Sequence, residues 1–252
     1  MRNINTLLRD GLVIAEVDAH PDDFVIHANA HHAISARGGN IRRHNITLTA
    51  GEDTGKNYHP DRAFDPRQGH REAEGRQGAS RMGFQTYKQL RGTDRDLLRD
   101  RAQLVPKVAE LLIAREVDLV LSLSQVTPRD SPDHAAAGLI TVEAAQLAHR
   151  ETGRPIGILT VQGGGQGDWL AEATPDSMLL GHQAAEDNTS QFRYAEVAAQ
   201  PGWPIVSSGR ALHPDDLAEL RQYPIQHDAA YTLVNIGGLS VAQSELALVG
   251  QR

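Results

Sequence analysis

The chain has 252 residues, enough for one sizeable domain and short for two. Its 32 acidic against 25 basic side chains give a net charge of −7, and with no long basic run this argues against a nucleic-acid partner. The absence of cysteine removes disulfide frameworks and thiolate metal sites together, and no apolar run is long enough to span a bilayer.

Residues 1–10 lack the apolar core and small-residue cleavage site of a signal peptide, so a cytoplasmic location is expected. From Leu12 an apolar run with β-branched Val13, Ile14 and Val17 reads as a buried strand. It stops at Ala19-His20-Pro21-Asp22-Asp23, where Pro21 cannot donate to a sheet ladder and biases His20 towards an extended backbone. That polar cluster is expected just beyond the carboxyl end of the strand, where open α/β sheets place their sites. Residues 24–36 read as a helix ending at Gly38, and residues 41–49 as a second strand. Residues 50–69 form a polar loop of a length more often functional than idle.

A helical pattern returns over about 71–82, followed by a short strand at 84–90. Residues 96–116 read as a long amphipathic helix feeding a buried strand at 118–123. A polar loop over 124–132, a helix from 133 to about 151 and a strand over 155–161 follow, closed by Gly163-Gly164-Gly165. Strands alternating with helices predict a parallel sheet covered on both faces by right-handed crossovers. The fold class is therefore α/β, a Rossmann-like three-layer fold with a mostly parallel sheet. Further on, helices are expected over 177 to about 199 and over 215–222, and a strand over 230–236. Residues 1–252 read as a single domain, with those from about 200 as a C-terminal extension.

Asp130-Ser131-Pro132-Asp133-His134 forms a second polar cluster, directly before a helix. Strand ends of one parallel sheet share an edge, so His134 is expected to meet His20 and the Asp22-Asp23 pair. Two imidazoles and one carboxylate leave a fourth position open for water, the usual arrangement of a catalytic zinc. Adjacent Asp22 and Asp23 cannot easily both hold one ion, so one ligand and one general base is the economical division.

These residues resemble the LmbE-like (PIG-L) zinc-dependent N-deacetylases, through Ala-His-Pro-Asp-Asp after the first strand and Pro-Asp-His before a mid-chain helix. The resemblance spans roughly residues 10 to 191. It implies Zn2+ on His20, Asp23 and His134, Asp22 as the base, and an N-acylated amino sugar or its conjugate as the small-molecule substrate. Ser131 and Asp133 fall on the family's other catalytic positions. Arg71-Glu-Ala-Glu74 is similar to the family's Arg-x-x-Glu, whose Arg contacts substrate, and Thr49-Ala-Gly-Glu52 to its Thr-x-Gly-Glu, which makes Glu52 a substrate-side residue. The sequence departs from the pattern at Phe24 (usually acidic), at Ser131 (usually His, stabilising an oxyanion) and at Asn188 (often His). A neutral hydroxyl is weaker than an imidazolium against a developing charge, so these changes bear on substrate and rate more than on metal binding.

His-Pro-Asp also occurs at His59 and His213. The second opens a short helix, where Pro and acids are ordinary helix-start chemistry. His59 or His70, in the long loop, are candidates for the missing imidazole. Gly163-Gly164-Gly165-Gln166-Gly167 lacks the Lys-Ser/Thr ending of a phosphate loop. Two alternatives stay open: a metal-holding binding or regulatory protein with weak or lost catalysis, and a nucleotide-binding Rossmann module without the glycine fingerprint. The oligomeric state is left open, a homo-oligomer included.

Overall fold

The first strand of the parallel core, β2 (Val13–Asp18), is buried at every position and sits in the middle of that core. The computed structural model describes residues 2–51, 70–123, 132–162, 168–172, 174–187 and 229–236. β2 pairs in parallel with β3 (Arg42–Thr49) on one side and with β5 (Leu119–Ser122) on the other. Beyond β3 lies β4 (Thr86–Gly92), and beyond β5 lies β6 (Ile156–Gln162), both parallel to their neighbours. The chain therefore leaves β2 in one direction for β3 and β4, then crosses back to lay down β5 and β6 on the other side. The crevice at the β2/β5 boundary is the topological switch point of such a sheet.

Three further strands extend the sheet past β6. β8 (Ala229–Ile236) runs antiparallel to β6, β7 (Trp169–Ala171) antiparallel to β8, and β1 (Arg2–Asn3) parallel to β7. The expected strand over 230–236 is thus present, as the antiparallel member of a mostly parallel sheet that has eight strands among the described residues. β1 and β7 are two and three residues long, too short to leave an alternating pattern.

Helices cover both faces. Val13, Ala15 and Val17 of β2 pack with α3 (Arg101–Ala114) and α4 (Pro132–Thr152) through Leu104, Val108, Leu112, Ile140 and Ala144. The opposite face packs on α1 (Ala28–Arg37), where Ile14 and Leu121 meet Ala30 and Ile34. α2 (His70–Arg81) and α5 (Pro175–Asp187) complete that layer through Ala79, Met82 and Ala184 around Phe24 and Tyr87. The period of two along β2 explains the division, since successive side chains enter opposite layers.

The helix expected over 24–36 is split, with a 3-10 turn over Asp23–His27 ahead of α1. Its cause lies in the preceding turn: the Asp23 carboxylate reaches back to accept the His20 backbone N–H at 2.8 Å, which draws the chain into tight i→i+3 geometry. The helix expected over 96–116 likewise opens with a 3-10 segment, Leu97–Asp100, before α3. The end of the helix expected to run to about 199, the one over 215–222, and the glycine run lie outside the described residues. No described helix is long and apolar enough to cross a membrane.

Candidate functional site

Three strand ends and one helix start build the site. β2 leads into Ala19 and His20, and the turn that follows carries Asp22 and Asp23. Asp23 is fixed at both ends: Oδ2 accepts the His20 N–H and lies 3.4 Å from His20 Nδ1, while Oδ1 lies 3.2 Å from His134 Nε2. His134 enters from the first turn of α4, where Pro132 occupies the start of the helix. The two imidazoles stand 5.2 Å apart between ring centroids and are each 16% exposed, whereas Asp23 is buried. One ligand atom from each of His20, Asp23 and His134 lies within 4.8 Å of the others. Two imidazoles and a carboxylate, converging at the partly open end of a buried strand, fit a divalent transition metal such as zinc.

The far side of His20 is also engaged. Its Nε2 lies 3.3 Å from Asp94 Oδ1 and 3.5 Å from Asp133 Oδ2. Asp133 is held in turn by two backbone donors, accepting Arg95 N–H at 2.6 Å and Leu97 N–H at 3.1 Å. A carboxylate behind an imidazole fixes its tautomer and orientation, the arrangement found behind metal-ligating histidines. His20, Asp94 and Asp133 form a second set of ligand atoms within 4.8 Å, sharing the His20 ring with the first.

The electrostatics follow from burial and proximity. Burial opposes a charge on His20, but Asp23, Asp133 and Asp94 outweigh it and hold the imidazole well above its ordinary pKa. Burial would raise Asp23, but His134 and His20 dominate and hold it well below the carboxylate range. Asp133 is held low against its burial by His20 and by the Leu97 and Arg95 N–H groups. Asp22 moves the other way: burial raises it, and Asp23 adds to the rise while Arg71 restrains it. Neighbouring carboxylates are thereby driven apart in acidity, the pattern that separates a ligand from a base.

Arg71, expected to contact substrate, is only 2% exposed. Its Nη2 donates to Asp22 Oδ1 at 2.7 Å and its Nη1 to the Gly51 carbonyl at 3.0 Å. Gly51 has φ +62, and a Cβ there would lie 2.6 Å from the guanidinium carbon. Only glycine permits both the backbone conformation and this approach. The Thr49-Ala-Gly segment is pinned to the site floor, with Thr49 Oγ1 donating to the Ala19 carbonyl at 2.8 Å and accepting Gly51 N–H at 3.1 Å. Glu52, Ser131, Asn188, His59, His213 and the side chain of His70 lie outside the described residues.

Sequence reasoning brought His20, Asp22, Asp23, Asp133 and His134 to one place, and the structure assembles them. It missed Asp94, which follows β4 in Gly92-Thr93-Asp94. The available signal was that this segment ends a strand on the same sheet edge as the two motifs.

A family model described as GlcNAc-PI de-N-acetylase (PIG-L) matches residues 16–145, more than half of the chain. The chain belongs to the PIG-L family. Matching no curated protein, this PIG-L chain has its likenesses among solved structures. The N,N'-diacetylchitobiose deacetylase of Pyrococcus horikoshii is 18% identical with a TM-score of 0.63, over 89% of this chain and 84% of that one. The 4-carboxy-2-hydroxymuconate hydratase of Pseudomonas putida is 16% identical at 0.59, over 88% and 96%. The A40926 pseudoaglycone deacetylase is 17% identical at 0.55, over 88% and 97%. At these identities the likeness establishes the fold that this PIG-L chain shares with them.

Proposed function

We propose that this PIG-L protein is a zinc-dependent N-deacetylase, hydrolysing an acetyl or similar acyl group from the nitrogen of an amino sugar or amino-sugar conjugate. The observation that carries the reading is the convergence of His20, Asp23 and His134 with Asp22 at their side. Membership of a family described by de-N-acetylation supports it, as do neighbours named as deacetylases of a chitobiose and of an antibiotic pseudoaglycone.

Zinc held by His20, Asp23 and His134 would supply a Lewis acid towards the acyl oxygen and a more acidic water. Asp22 takes the proton from the attacking water and returns it to the departing amine nitrogen. Its raised pKa suits both halves of that exchange, since the carboxylate binds the proton firmly enough to carry it. Arg71 positions Asp22 by holding Oδ1, and the Gly51 carbonyl positions Arg71. Asp133 and Asp94 orient His20 from behind. Ser131 is assigned a hydrogen bond to the developing oxyanion, and Glu52 the substrate side, both from the family pattern.

Acetate release from a panel of N-acetyl amino sugars and conjugates tests the reading. Asp22→Asn should lower kcat by about 10²–10⁴-fold, the usual weight of a general base, with zinc content unchanged. Loss of metal together with activity would contradict the division of roles. The second reading, a metal-holding protein with weak or lost catalysis, is favoured by Ser131 standing where the family pattern has His. Metal without any acetate release across the panel would decide for it.

A further inference from the structure

Behind the His20–Asp23–His134 cluster lies a second ionisable group that deacetylation does not use. Glu16 and Asp18 are two residues apart on β2, so both side chains enter the α1 layer below Ile14's neighbours rather than the α3/α4 layer. Both are fully buried. His27, also fully buried, comes from the turn that precedes α1. One ligand atom from each of Glu16, Asp18 and His27 lies within 4.8 Å of the others.

Two carboxylates this close, away from water, cannot both stay ionised without a balancing charge. One oxygen of each carboxylate is already committed. Asp18 Oδ2 accepts Asn45 Nδ2 at 2.6 Å, Asn45 Oδ1 in turn accepts the Thr47 hydroxyl at 2.8 Å, and Glu16 Oε2 is bonded to His31 Nε2. The other oxygens, Glu16 Oε1 and Asp18 Oδ1, are buried with no donor against them among the described residues, and the two carboxylates lie within hydrogen-bonding reach of each other, a contact that only a shared proton or a cation satisfies. Carboxylates held by outer donors on one oxygen and open on the other make the surroundings of a bound cation.

We propose that Glu16, Asp18 and His27 hold a second divalent cation, a structural one buried beneath the catalytic cluster. An imidazole with two carboxylates suits zinc or another first-row divalent ion. Because its ligands are 0% exposed, this ion enters as the chain folds and exchanges slowly, unlike one at the 16% exposed His20 and His134. The competing arrangement is a proton shared between Glu16 and Asp18.

The experiment is elemental analysis of untagged protein from zinc-supplemented cells, made on Asp23→Asn/His134→Ala, which removes two of the outer donors. The result expected is about one zinc per chain, kept through dialysis against EDTA and released when guanidinium unfolds the protein. Adding Asp18→Asn should abolish it. A double variant without zinc, or one whose zinc is lost to EDTA while folded, overturns the proposal in favour of the shared proton or an adventitious surface ion. Zinc indifferent to Asp18→Asn overturns it too. Failure of the deacetylase reading would leave these counts untouched, since none of them involves turnover.

Discussion

At the scale of single residues, the acidity of Asp22 is set by what surrounds it. Burial raises its pKa, and the Arg71 guanidinium at 2.7 Å is the largest influence pulling it down. Removing that charge lets the pKa rise further. A general base works only when ionised, so Arg71→Gln should move the acidic limb of the kcat/KM profile to higher pH with zinc content unchanged. Gly51→Ala should shift the limb in the same direction. Its Cβ would stand 2.6 Å from the guanidinium carbon, and its φ of +62 adds roughly 1–3 kcal/mol of backbone strain. A pH–rate series on both variants checks the pair, and an unmoved limb would mean that Arg71 does not act through Asp22. That His20, Asp22, Asp23 and His134 come together was legible because polar residues abruptly ending an apolar run mark a strand end. Asp94 was not, since Thr93-Asp94 reads as an ordinary loop until β4 places it beside His20. Glu16 and Asp18 were passed over inside a run that reads as buried strand, although carboxylates within such a run are themselves a signal.

At the scale of elements, the alternation of helices and strands was legible because the core helices are long and the buried strands between them are short runs bounded by polar clusters. β1 and β7 were not, being two and three residues of pairing decided by partners far along the chain. The orientation of β8 was equally out of reach, since period and hydrophobicity do not encode strand direction. The β3–β4 pair carries its own pH sensitivity. His44 on β3 faces Thr86 on β4, with Nδ1 3.0 Å from the hydroxyl, and is 8% exposed. Burial, then Arg115 and Arg42, lower its pKa to about 4. The unfolded chain, with an imidazole near 6.5, binds the proton more readily across that interval. Stability should therefore fall as pH drops from 6.5 towards 4, by at most about 1.4 kcal/mol per pH unit from this residue. His44→Asn keeps a polar atom near the Nδ1 position and removes the titration. Its melting temperature should fall less steeply over the same range, and parallel curves for the two proteins would refute the assignment.

At the scale of the whole molecule, the candidate metal site bridges two parts of the fold at the switch point. His20 and Asp23 follow β2, from which the chain turns towards β3 and β4, while His134 follows β5, from which it turns towards β6. That these distant segments meet was legible, because parallel strands put their carboxyl ends on one edge. Their spacing was not, since it depends on side-chain packing across the crevice. A zinc ion there would tie the two parts together and favour the folded state by mass action. At a hundredfold excess over Kd this amounts to about 2.7 kcal/mol, or roughly 5–10 °C in Tm for a domain of this size. The gain should also depend on pH. The carboxylates around His20 hold it well above the ordinary imidazole pKa, and a metal takes the neutral ring, so zinc must displace a proton near neutrality. Affinity, and with it the zinc-induced rise in Tm, should therefore grow as pH increases from 6 to 8. In His134→Ala, which lacks the ligand contributed from beyond β5, the rise should largely vanish at every pH. A zinc-induced shift in the wild-type protein that is flat across this range would exclude His20 as a ligand, and one that survives in His134→Ala would place the metal elsewhere.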